Sequence, residues 1–275
     1  MSKFSVAYLY YFKNYYRSKS FYLMLILILL ISAIMTYFTF RYQAKLDHFL
    51  STFGVSSVTL GLKERAIEFL WAFVLVDIPV YAAVFFGSPS ISSEIEDRTA
   101  YYVFSLPINR YTLLSSKYAA AYSVTVIISI IYLMFEIAVF RIIFGVFPDV
   151  SLVISFGLLL LFIASIMSLT FFLSSIFNRN IYAYITVLIV YFLVFNAVNV
   201  VTDLIYGYTS PFLLNNAAVI VMEVFMNDNL FAFSRSFSIA PAPASEIMLS
   251  VLVMIVYVAV SMAIAMILFE RKEVK

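Results

Sequence analysis

The feature that most restricts this chain is a set of six apolar runs, each long enough to cross a lipid bilayer. Residues 21–40, 152–177, 181–201 and 247–269 carry no charge, 69–86 is interrupted only by Asp77, and 118–140 only by Glu136. A helix needs about 20 such residues to span the hydrocarbon core. The runs are continuously apolar rather than alternating, which favours helices over barrel strands. Composition agrees: the chain is 64% hydrophobic and 12% charged, with a mean hydropathy of +1.03. A soluble domain of 275 residues would need far more polar surface to cover its core. The run at 21–40 is too long for the core of a signal peptide and reads as a retained span.

Several function classes fall away at once. A net charge of +2 offers no footing for nucleic acid. The chain contains no cysteine, so disulfides, thiolate metal sites and a cysteine nucleophile are excluded. A single histidine, His48, cannot build a multi-histidine zinc site. None of the six glycines opens a phosphate-binding loop, so the chain is not expected to hydrolyse ATP itself.

The basic residues set a direction. With the N-terminus inside, the inner segments hold Lys3, Lys13, Arg17, Lys19, Arg98, Arg110, Lys117, Arg179, Arg271, Lys272 and Lys275. The outer ones hold Arg41, Lys45, Lys63, Arg65, Arg141 and Arg235. Eleven against six predicts both termini in the cytoplasm, in a multi-pass protein of the plasma membrane.

The segments between spans carry further signals. Phe4, Tyr8, Tyr11, Phe12 and Tyr15 share one helical face, with Lys13 and Arg17 opposite. This predicts an interfacial helix over 1–20 with its rings among lipid headgroups; a plain basic leader is the alternative. Residues 203–246 form a long outer insertion whose apolar run, 212–225, is too short to cross. It suits a re-entrant or interfacial helix pair turning at 227–229, with Pro241 and Pro243 on the approach to the last span. Between the second and third spans lies a cytoplasmic region, 88–117. Ser93 and Glu96 have the spacing of a capping box, which predicts a helix over 93–106 with Glu94, Glu96 and Asp97 in its first turn. Leu106-Pro107 ends it, 109–116 forms a second short segment, and Lys117 marks the membrane boundary. Five aromatic residues from Tyr101 to Tyr118 make a docking surface a better reading than a spacer loop.

Glu96, Thr99, Leu106-Pro107-Ile108, Arg110 and Lys117 resemble, in order and spacing, the same region of ABC-2-type transporter permeases. The family's usual glycine before the threonine is replaced here by Arg98. The resemblance extends to the helix before span one, the outer insertion before span six and the tail Phe269-Glu270-Arg271-Lys272-Glu273. It implies an all-α integral membrane fold of six spans with a cytoplasmic coupling helix. It also implies separate ABC ATPase subunits that carry ATP and Mg, and a second permease chain as homodimer or heterodimer. Glu94, Glu96, Asp97, Arg98, Thr99, Leu106, Pro107 and Arg110 would then face the ATPase. Spans two and five would line the pathway, where Asn196 and Asn199 could share space with Asp77.

Asp77 lies mid-span, where an ionised carboxylate costs about 2.5–3.5 kcal/mol by insertion scales. It marks either the pathway or a protonated packing contact. Glu136 and Arg141 read as interfacial anchors. Two other functions stay open: a proton-coupled secondary transporter using Asp77 and Glu136 as carriers, and a membrane scaffold without transport. The cargo is not legible.

Overall fold

The computed structural model describes residues 2–45, 60–99, 108–145, 150–207, 210–225, 231–232, 238–239 and 243–271. Six of its helices are long and apolar enough to cross a membrane. They are α2 (Lys19–Tyr42), α3 (Leu60–Gly87), α5 (Arg110–Phe144), α6 (Val150–Ile176), α7 (Asn180–Tyr206) and α9 (Ala244–Arg271). Three shorter helices accompany them: α1 (Lys3–Tyr16), α4 (Pro89–Glu96) and α8 (Leu214–Glu223). An even number of crossings leaves both ends of the chain on one side, called here the termini end.

The spanning helices run past the apolar stretches because their ends are capped locally. Ser2 accepts from the Ser5 N–H and Ser18 from the Phe21 N–H, each at 3.2 Å, so α1 and α2 begin at serine caps. Gly145 and Gly207 adopt left-handed φ values of 74° and 69° and stop α5 and α7, a conformation glycine enters without strain. Within α7, residues Ile189–Val194 form a π-helical turn.

α6 is the centre of the bundle, packed against α3, α5, α7, α8 and α9. Apolar side chains alone do not discriminate between protein and lipid, so its polar ones matter. Tyr118 and Tyr122 of α5 donate to the Ala164 and Leu160 carbonyls of α6 (2.8 and 3.3 Å), and Ser165 reaches Met254 of α9 (3.0 Å). α3 is the most enclosed span, with 61% of its most apolar stretch buried against 17% for α2 and for α7. Those last two therefore leave wide apolar faces for lipid or another chain.

α1 lies against α5, and its aromatic face is used differently from the expectation of rings among headgroups. Tyr8 donates to Ser123 (3.0 Å), Tyr15 meets the Phe86 ring at 6.0 Å, and Tyr11 is buried. From Tyr8 to Tyr15 the face packs on protein because α5 and the end of α3 offer complementary rings and hydroxyls, while Phe4 stays exposed. α8, about 15 Å long by helical rise, reaches about half-way across a hydrocarbon core. Its Ala217, Ala218, Ile220 and Val221 are buried against α3, α6 and α9. Where a second helix of a pair was expected, Phe231–Ala232 instead pairs antiparallel with Ser238–Ile239; the turn at 227–229 and Pro241 lie outside the described residues.

Candidate functional site

The region between spans two and three begins as an extension of α3. At Ser88-Pro89 the chain breaks step: the Ser88 N–H reaches five residues back to the Ala83 carbonyl (3.2 Å), and proline occupies the first turn of α4. The N–H groups of that turn need partners, and Ser174 of α6 provides them. Its hydroxyl oxygen accepts from Ile91 and Ser92 (3.2 Å each) and its hydrogen goes to the Ser88 carbonyl (2.6 Å). Gly87 permits this approach; a Cβ there would stand 2.8 Å from Thr170 Cγ2 and 2.9 Å from Met167 Sδ.

The helix therefore starts at Pro89 rather than Ser93, and the expected capping box is absent. Ser93 lies inside α4 and donates to the Pro89 carbonyl, and the helix ends at Asp97. Glu94, Glu96 and Asp97 consequently sit in its last turn and cap, where the helix dipole opposes negative charge. Two neighbouring helices offset this. Lys117 of α5 forms an ion pair with Glu94, and Glu96 accepts the backbone N–H of Asn180 (2.8 Å), the first residue of α7. The Asn180 side-chain oxygen lies 2.6 Å from the Ser92 hydroxyl.

Lys117 is the largest departure from the expected membrane boundary. Residues 110–117 are the opening turns of α5, not a separate segment, and Lys117 is 1% exposed. A buried ammonium must be paired and hydrogen-bonded to be tolerated. Besides Glu94 it donates to the Ser90 carbonyl (2.8 Å) and stands 5.0 Å above the Tyr11 ring. Tyr11 donates to the same Glu94 oxygen at 3.5 Å. Burial, and then the Glu94 charge, push the Tyr11 and Tyr15 hydroxyls above their ordinary range, so both remain neutral donors. One carboxylate thus joins α1, α4 and α5.

Arg98 takes the left-handed conformation (φ 56°) immediately after α4, the position at which the family's glycine stands. Its N–H closes on Ile95 (3.2 Å), and the Thr99 hydroxyl reaches the Glu94 carbonyl (3.3 Å). Leu106 and Pro107 lie outside the described residues. Arg110 is not gathered with the acidic group: it donates to the Glu270 and Phe269 carbonyls (2.6 and 3.3 Å) and caps the C-terminal end of α9, with Tyr111 bonded to the Glu270 carboxylate.

The pathway candidates have different hydrogen-bond and ring neighbours. Asp77 lies one turn from Tyr81, whose ring stacks at 5.6 Å on Phe192 in the π-helical turn of α7. Asn196 and Asn199 instead bond to Asn215 and Asn216 of α8 (3.2 and 2.6 Å). So α7 does approach α3 one turn from Asp77, through a ring contact the sequence did not single out. Glu136 is not an interfacial anchor either. It is 2% exposed, while Arg141 is exposed and caps Gly145.

A family model described as ABC-2 family transporter protein matches residues 11–274. The chain belongs to the ABC-2 transporter family. It is accordingly a membrane permease of an ABC transporter, the transmembrane subunit rather than the ATPase. No individual curated protein matches it.

Proposed function

We propose that this ABC-2 permease is the membrane-spanning part of an ATP-driven exporter. In this reading separate ABC ATPase subunits hold ATP and Mg and seat against the coupling region, 88–117, around Asp97, Arg98 and Thr99. A second permease chain, identical or related, completes the pathway. The observation that carries it is the Glu94 junction. The segment that would meet the ATPase follows directly from a helix tied by an ion pair to α5 and by hydrogen bonds to α1, α6 and α7. A push on that segment would reach four helices without passing through lipid. The excess of Lys and Arg at the termini end favours a cytoplasmic placement, with both termini inside. The exposed faces of α2 and α7 leave room for a second chain, and Asp77, one turn from the Tyr81–Phe192 contact between α3 and α7, is the favoured polar point on the pathway.

The test is ATP turnover by the complex in liposomes. Leu106→Asp is expected to lose the co-purifying ATPase, and Glu96→Ala to keep it while lowering turnover. Unchanged binding and turnover in both variants would remove the docking role.

A further inference from the structure

The bundle holds a second pair of charged side chains that the coupling reading does not use. α3 and α5 run antiparallel, and the Tyr132 hydroxyl on the Trp71 carbonyl (3.2 Å), with their rings 5.2 Å apart, sets their register. One turn further from the termini end, three residues back along α3 is Glu68 and four residues on along α5 is Glu136. Both then stand on the faces that Trp71 and Tyr132 present to each other. Glu68 is 3% exposed and Glu136 2%. Neither oxygen of Glu136 has a hydrogen-bond partner among the described residues, while Glu68 has contacts of its own.

An ionised carboxylate with no donor in an apolar interior has lost its hydration and gained nothing in return. A second carboxylate across the interface makes the doubly ionised state worse still. Other charged groups lie at this end of the packed elements, and Lys63 and Arg65 have contacts of their own. Arg41 and Lys45 beyond α2 and Arg141 of α5 are exposed, and Lys63, Glu64 and Arg65 of α3 are half-buried. α6 contributes no charge. We propose that Glu136, with Glu68 beside it, is a proton-binding site: the pair holds a proton while α3 and α5 are closed at this end, and Glu136 releases it when water enters between them. This does not depend on ATP coupling or on a partner chain.

The experiment is infrared spectroscopy of the purified full chain in lipid nanodiscs at neutral pH. The expected result is a carbonyl-stretch band of a protonated carboxylic acid that is lost in Glu136→Gln and displaced in Glu136→Asp. Trp71, the single tryptophan of the chain, lies one turn away, and its unchanged emission certifies that a variant keeps the local packing. If Glu136→Gln loses that emission, the displacement in Glu136→Asp carries the test. A band identical in the wild type and the packed variants means that Glu136 is ionised, and overturns the proposal.

Discussion

The two ends of the α3–α5 pair differ in the sign of what they bury. At the termini end an acid on α4 meets a base on α5; at the far end an acid on α3 meets another acid on α5. Burial costs each charge several kcal/mol; the Lys117–Glu94 pair repays this by attraction, whereas Glu136 has no hydrogen-bond partner among the described residues. The comparison teaches that the same helix pair is clamped where force is proposed to enter and left dependent on one proton where the bundle would open.

The largest effect that could break this contrast is loss of the clamp. Lys117→Met leaves Glu94 buried without its cation and should cost about 3–5 kcal/mol in thermal or denaturant unfolding. Adding Glu94→Gln removes the orphaned charge and should recover most of the loss. An uncharged pair that is as unstable as the single variant would mean that packing, not charge, holds this end.

The far end has its own acid outside the spans. Burial, and then Glu246, raise the Glu223 carboxyl to about 7. The native state then binds its proton more tightly than the unfolded chain does. Stability should therefore fall as pH rises from about 4.5 through 7, by no more than about 3 kcal/mol. Glu223→Gln should flatten that dependence in melting curves across the range. Smaller again is Gly87→Val, which drives a branched side chain into Thr170 and Met167 and should cost about 1–3 kcal/mol. Its effect belongs at the junction, so it should also loosen protection of α4 in hydrogen exchange. Smallest is Arg98→Gly, which relieves a left-handed non-glycine residue and should stabilise the chain by about 1 kcal/mol.

Much of the fold was legible because lipid imposes a length. Six apolar runs became six spanning helices, and the short run at 212–225 became a helix that does not cross. The junction was not legible, for a physical reason. Its contacts join residues 11, 94, 117, 174 and 180, which no periodicity links. Ser93-x-x-Glu96 looked like a helix start, but Pro89 with Ser174 beneath it made a better one four residues earlier. Lys117 looked like a boundary because lysines usually mark one; Glu94, the Ser90 carbonyl and the Tyr11 ring together allow it inside. The signal available was the unusual density of serine around 88–93 and 165–175, small hydroxyls that let backbones approach and supply caps. Arg98 was visible as a departure, and its positive φ is a conformation that glycine enters without strain.

The segment after α4 is proposed to face an ATPase in the cytoplasm. The chain has no cysteine, so Thr99→Cys gives a single labelling position in an otherwise silent background. A membrane-impermeant maleimide should leave it untouched in intact cells, label it once the membrane is opened, and be blocked by the bound ATPase. Labelling from outside intact cells would contradict the account.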